Sequence, residues 1–434
     1  MLKKFFKDSF LYTLATLFTK GLGFLMLPIY THNLSQAEYG VFDYLVSIGA
    51  ILSIIATVEI TQGVMRYVSG NDLELKELSS YISTSIWFTL LLYSFVVLVC
   101  FTFSQEIALF LLNDSEKESL IKIASLYFCA NSIVYLFNVI FRAQLKAKLA
   151  VIYSLISAVL VACFSLYALL VLKLGIEGVF YAQFFACLII ILLSMLKQFE
   201  YLAFTFDGLV LKKLISFSLP FVPSSLSVLV SVNADRLMIK EILDIESVAI
   251  YGVGARISSI VLMLLIGFQS ALTPLIYTKY NEESTSKDIA KLFYIYLTLT
   301  IMSILFLSLF SESIVLLTAG KEYIASTTII PLLALAAFTG SMYLFFPGLS
   351  IYKKTVIIAK INIFAALLNI PLNYILIKEF GIIGASLATF LSACIGWFLI
   401  MKESQKYYII PIKKRYIILY IFLVFSIVLL SLLN

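Results

Sequence analysis

Apolar runs long enough to cross a bilayer recur along the whole chain, separated by short polar breaks. A helix needs about 20 apolar residues to cross ~30 Å of hydrocarbon. Windows of that size predict spans at 9–31, 41–63, 80–103, 119–141, 149–172 and 178–196. A second group follows at 214–236, 249–271, 292–311, 328–350, 357–377 and 382–401, and a thirteenth run, 416–433, closes the sequence. Lys3, Lys4 and Lys7 ahead of the first run imitate a secretory signal. That run is too long, is interrupted by Lys20, and leads to no small-x-small cleavage site, so a retained helix is expected. Outer loops run from about 5 to about 16 residues, and the longest inner connection, 198–213, separates the sixth and seventh spans.

Composition extends this picture to the whole chain. Of 434 residues, 62% are hydrophobic and 13% charged, where soluble proteins are about half apolar and about a quarter charged. The mean hydropathy is +1.04. These values exclude a soluble enzyme, a disordered chain and a nucleic-acid binder. The five cysteines, Cys100, Cys129, Cys163, Cys187 and Cys394, all lie in apolar stretches without metal-ligand spacing. They read as packing residues, with no disulfide framework.

The net charge is +6, and the position of the charges says more than their sum. With a cytoplasmic N-terminus, 21 lysines and arginines fall on the inner side. Five fall outside, at Lys117, Lys173, Lys240, Lys321 and Lys378. Such asymmetry sets orientation in membrane proteins. It supports an inner N-terminus and also the span count, because one missed helix would invert every later loop.

The two halves resemble each other. Tyr39-Gly40-Val41 and Tyr251-Gly252-Val253 open spans two and eight at an offset of 212. Gly175-Ile176-Glu177-Gly178 and Gly381-Ile382-Ile383-Gly384 precede spans six and twelve at an offset of 206. Six spans is an even number, so both copies start on the same side. The expectation is an all-α integral membrane protein of two six-helix lobes related by a parallel repeat, plus the thirteenth helix. The lobes are expected at 1–205 and 206–401, followed by a basic linker and extra helix at 402–434.

Ionisable groups inside a span cost roughly 2.5–3.5 kcal/mol on insertion scales, so they face cavities or partners. Lys20 lies mid-span on a face with Ser9, Thr13, Thr16 and Gly23. It reads as a cation lining a wet cavity, or as a structural partner for a carboxylate. Ser224, Ser227, Ser231 and Asp235 form a matching stripe in span seven, behind Pro220 and Pro223, which should bend that span. Glu59, Gln62 and Arg66 are spaced to share one face of span two. Glu59 and Asp235 are the carboxylates best placed to bind H+ or Na+; Glu59 can equally pair Lys20 or Arg66. Arg66, Arg142, Arg256 and Lys360 complete a candidate cationic set, although Arg66 and Arg142 at the inner face can serve simply as topology anchors. Asn362, Asn369 and Asn373 rank below these charges. No Walker motif, HExxH or other catalytic signature occurs, no cofactor is called for, and the single His32 sits in an outer loop.

Several stretches resemble one family. They are Lys20-Gly21-Leu22-Gly23 through Leu27-Pro28-Ile29-Tyr30, Glu38-Tyr39-Gly40, Gly63-Val64-Met65-Arg66-Tyr67, Asp235-Arg236 with Ile250-Tyr251-Gly252, and Leu372-Asn373-Tyr374 leading to Phe380 through Ala385. Together they resemble the polysaccharide-biosynthesis flippases, the O-antigen and capsule repeat-unit exporters of the multidrug/oligosaccharidyl-lipid/polysaccharide (MOP) superfamily. The resemblance covers about residues 5–400. It implies a bacterial inner-membrane protein with two lobes about a central cationic cavity. It also implies a polyprenyl-pyrophosphate-linked oligosaccharide as substrate and polysaccharide assembly proteins as partners. The thirteenth run departs from the twelve-helix core of that family. The alternatives are a multidrug/cation antiporter of the same superfamily, whose cavity should be dominated by carboxylates, and a membrane polysaccharide polymerase or ligase. The latter would need a large catalytic outer loop.

Overall fold

A computed structural model describes residues 2–69 and 74–413. The thirteenth run, 416–433, and the basic residues Lys414 and Arg415 before it lie outside the described residues. Within them all regular structure is helical. The chain forms two compact units, Met1–Leu226 and Ser227–Asn434.

The first unit contains α1 (Leu2–Leu25), α2 (Leu27–Asn33), α3 (Gln36–Thr57), α4 (Ile60–Val68), α5 (Leu75–Thr102), α6 (Ser104–Leu112), α7 (Glu118–Ala143), α8 (Ala147–Leu166), α9 (Gly175–Lys197) and α10 (Gly208–Ser218). Two of its helices start at side-chain caps. Ser35 and Glu38 form a reciprocal capping box at α3, and Asp207 accepts the Leu209 and Val210 amides at α10. The core lies around α7, which packs on α4, α5 and α9. Ile60, Val64, Ile82, Leu136, Phe137 and Phe141 fill it.

The second expected span is not one helix. Val58 and Glu59 both take left-handed backbone, with φ of 50° and 53°, and divide α3 from α4. Neither is glycine, and the β-branched Val58 is especially strained there; each such residue costs about 1–3 kcal/mol. Packing of α4 on α7 and α10 holds the redirected chain. The Gly63 amide donates to Ser218 Oγ at 2.9 Å. Pro220 and Pro223 act as the sequence predicts: a single 3-10 turn at Leu219–Phe221 separates α10 from α11 (Val222–Ile242), and the chain passes into the second unit within α11.

The second unit continues with α12 (Ile245–Ser258), α13 (Ile260–Lys279), α14 (Glu283–Thr318), α15 (Ile330–Ser341), the short α16 (Gly348–Ile351) and α17 (Thr355–Ser404). Asp244 caps α12 by accepting the Ser247 amide at 2.6 Å. The unit is built on α15, packed against α12, α14 and α17.

Among the described residues ten helical stretches are long and apolar enough to cross a membrane. A pair bent by 49°, Lys321–Thr328 with Ile330–Phe345, makes an eleventh. The 50 residues of α17 would measure ~75 Å as one helix, more than twice the ~30 Å of hydrocarbon. It is broken at Gly381, whose φ of 57° and ψ of −138° suit only glycine. Counting α17 as two crossings gives twelve among the described residues, and the break falls between the expected spans 357–377 and 382–401.

The repeat motif has a physical reason. Gly175 and Gly381, equivalent at the offset of 206, take φ of 58° and 57°. Both serve a turn of the chain into a returning helix. A buried pair repeats as well. Tyr93 and Ser132 share a 2.6 Å hydrogen bond between α5 and α7, and Tyr296 and Ser341 share one of 2.6 Å between α14 and α15.

Candidate functional site

The most enclosed charge in the second unit is Asp235, on α11, with 3% of its surface exposed. Burying a carboxylate costs several kcal/mol unless it is paired or hydrogen-bonded. Three neutral donors converge on it. Asn373 Nδ2 donates to Oδ1 at 2.8 Å, Thr389 Oγ1 to Oδ2 at 2.7 Å, and the Tyr251 hydroxyl also to Oδ2. Hydrogen bonds to charged groups contribute about 1.5–3 kcal/mol each, enough to offset that cost. Among the described residues no basic side chain lies within ion-pair distance of Asp235. Its neighbour Arg236 instead lies over the Tyr251 ring, 5.7 Å from the centroid.

The donors come from α12 and from both halves of α17, on either side of Gly381. Asn369, one turn before Asn373, accepts from Asn373 Nδ2 at 3.0 Å and donates to Ser392 Oγ at 3.3 Å. Asn373 Oδ1 is buried and has no hydrogen-bond partner. A cavity of about 460 Å³ adjoins this cluster, lined by Asp235, Tyr251, Asn369, Thr389, Ser392 and Trp397 among others. Carboxylate, amide and hydroxyl oxygens are the ligands of hard cations. Among the described residues no group of three His, Cys, Asp or Glu is placed to hold a metal ion.

The first unit arranges its charges differently. Lys20 is exposed, mid-way along the stretch Leu11–Asn33, on a face with exposed Thr16 and Gly23. Arg66 is exposed at the end of α4 and Arg142 at the end of α7, its guanidinium 5.3 Å from the centroid of the Tyr12 ring. Glu59 is half-buried at the break between α3 and α4, where Thr61 Oγ1 and Gln62 Nε2 each approach its Oε2 at 3.4 Å. It stands outside the helix that carries Gln62 and Arg66, so the three do not form one helical face. No ion pair joins Glu59 to Lys20 or Arg66 among the described residues.

In the second unit, Arg256 is half-buried on α12 and Lys360 is exposed near the start of α17. Neither lines the cavity, although Ala255 and Asn362 do. Sequence reasoning under-ranked Asn369 and Asn373 and missed Tyr251 and Thr389 as partners of Asp235. A signal was present for the asparagines, which lie four apart in an apolar span. Tyr251 stood in the repeat motif without any sign of its partner.

Comparison with known proteins places this geometry in a context. The family model described as polysaccharide biosynthesis protein matches residues 5–279, and the MatE family model matches 220–375. No curated protein matches the chain. Among solved structures, a multidrug resistance MATE family transporter of the MOP superfamily, in an inward-facing conformation, is similar with a TM-score of 0.68 at 16% identity. That match covers 89% of this chain and 95% of the other. A Vibrio cholerae MATE transporter has a TM-score of 0.60 at 15% identity, covering 92% and 96%. A MOP superfamily transporter from Pyrococcus furiosus, described for the reversed polarity of its binding pocket, has a TM-score of 0.59 at 16% identity, covering 92% and 95%. At these identities the likeness shows the fold, which is that of MATE-like transporters.

Proposed function

Since the chain belongs to the polysaccharide biosynthesis protein family and is a multi-pass membrane protein, we propose that it is a flippase for polyprenyl-pyrophosphate-linked oligosaccharide repeat units. It carries them from the cytoplasmic to the outer leaflet of the bacterial inner membrane by alternating access, with its N-terminus inside. The observation that carries this reading is Lys20, exposed in the middle of a span and joined to no carboxylate among the described residues. A cation left open at that depth suits an anionic ligand passing through water. A pyrophosphate and its sugars cannot enter hydrocarbon unaided, and Lys or Arg can neutralise the phosphates through charge-assisted bonds. Arg66, Arg142, Arg256 and Lys360 add positive charge at or near the span ends. The lipid tail stays in the bilayer throughout.

Energy coupling is assigned to Asp235, with H+ or Na+ as the ion. The carboxylate accepts from Asn373 Nδ2 and from the Thr389 and Tyr251 hydroxyls beside the cavity, and Asn373 Oδ1 remains to be satisfied. Glu59 is the second candidate, in the other unit. The MatE match over 220–375 favours one competing reading, a multidrug/cation antiporter, in which Asp235 would receive the substrate.

Reconstitution separates the two readings. Purified protein in proteoliposomes should move a polyprenyl-pyrophosphate tetrasaccharide between leaflets and leave ethidium in place. Ethidium transport without glycolipid movement would overturn the flippase reading.

A further inference from the structure

The central helix of the first unit has an unusual surface. From Leu120 to Ala143, α7 exposes only three side chains: Asn131, Tyr135 and Arg142. Neighbouring spans expose apolar groups, such as Leu91, Phe95 and Leu98 on α5 and Phe185, Leu192 and Leu196 on α9. Those are surfaces for lipid. No aliphatic side chain or phenylalanine between Leu120 and Ala143 is among the exposed ones, Leu126 and Val134 being half-buried.

The three residues share one face. Steps of four and seven residues at 100° each keep them within about 40° of one another. Asn138, on the same stripe, holds it to α8: its Nδ2 donates to Ser154 Oγ at 2.8 Å and to the Ala150 carbonyl at 3.1 Å. At 1.5 Å per residue the stripe extends ~17 Å, from Arg142 at the helix end to Asn131 in mid-span. Asparagine exposed to hydrocarbon at that depth would lose its hydrogen bonds, so this face borders water. Tyr135 is 57% exposed.

We propose that this face of α7 is the track on which the sugar chain rides, and that Tyr135 and Asn131 set glycan selectivity. Arg142, with Tyr12 beneath its guanidinium, stands at the inner end and takes the pyrophosphate. Tyr135 offers a flat ring on which the apolar face of a pyranose stacks. Asn131 has donor and acceptor together, the combination that suits vicinal hydroxyls. The ligand class is a polyhydroxylated chain ending in a phosphate anion. This inference rests on the flippase reading and extends it to named specificity residues.

The test measures binding to purified protein in nanodiscs with three probes: polyprenyl pyrophosphate alone, the same lipid bearing a tetrasaccharide, and the free tetrasaccharide. Wild type should bind the glycosylated lipid about tenfold more tightly than the bare one, as expected for one or two net contacts. Tyr135→Ala and Asn131→Leu should each lose most of that increment. Tyr135→Phe keeps the ring and should retain it. Bare-lipid binding by each variant reports that it is folded, and Tyr135→Phe with Asn131→Leu keeps the test open if Tyr135→Ala does not accumulate. An unchanged increment in both Tyr135→Ala and Asn131→Leu overturns the track and leaves the flippase reading standing. Wild type that binds neither lipid probe overturns the flippase reading, and the track with it. Free tetrasaccharide bound as tightly as the lipid-linked form would exclude Arg142 as the head-group site.

Discussion

The two units follow one plan and each buries a carboxylate, Asp43 on α3 and Asp235 on α11, but the first also leaves Lys20 exposed in mid-span. In each, a central helix, α7 or α15, packs against the helices before and after it, and a buried Tyr–Ser pair ties it to its predecessor. The first unit leaves its cations at the surface and gives its central helix an exposed polar stripe. The second encloses a carboxylate with neutral donors beside a cavity. Along that cavity α15 presents Ala336, Ala337 and Gly340, where α7 presents Asn131 and Tyr135. On the proposed flippase reading, the first unit would receive the anionic ligand and the second the coupling ion.

The sharpest way to break this comparison is at Lys20. Lys20→Ala should abolish export in a complementation assay while the protein still inserts and accumulates, and Lys20→Arg should retain part of the activity. Wild-type export by Lys20→Ala would remove the reason for assigning the anion to the first unit.

The next effect lies at Asp235. A cation bound only by the folded protein stabilises it by about 2.7 kcal/mol at a concentration 100 times Kd. Sodium chloride, against choline chloride at equal ionic strength, should therefore raise the apparent Tm of wild type. Asp235→Asn should lose that response and Glu59→Gln should keep it. Stability without sodium should change little in Asp235→Asn, because an amide can accept some of the same hydrogen bonds without a buried charge. The reverse pattern, with the response lost only in Glu59→Gln, would move ion coupling to the first unit.

A smaller effect tests the shared frame. Gly381→Ala forces a Cβ into backbone that glycine alone tolerates, at about 1–3 kcal/mol, and should lower the apparent Tm with Gly175→Ala following in the same direction. Smallest are the buried pairs. Tyr93→Phe and Tyr296→Phe should each cost about 1 kcal/mol, with the smaller effect at Tyr296, because Ser341 Oγ keeps its bond to the Phe338 carbonyl. A large difference between the two would show that the equivalence stops at the backbone.

Much of the frame was legible because hydrocarbon constrains sequence locally. Runs of apolar residues and the glycines at Gly175 and Gly381 each reflect a cost that every residue meets alone, whatever its neighbours. The bend at Pro220 and Pro223 was legible for the same reason. The break at Val58 and Glu59 was not, since no proline or glycine marks it and contacts of α4 with α7 and α10 sustain it.

By itself, then, the sequence determined that this is an all-helical membrane protein, and it singled out Lys20 and Asp235 as charges inside apolar spans. Those conclusions follow from solvation, which acts on each side chain where it stands. Only the tertiary structure decided what each charge meets. Asp235 joins Tyr251, Asn373 and Thr389 across separations of 16, 138 and 154 residues, and no periodicity encodes which helices will touch. Likewise, the exposure of Tyr135 and Asn131 depends on every other side of α7 being covered by its neighbours. Burial is a property of packed helices, and packing is decided by contacts distant in the chain.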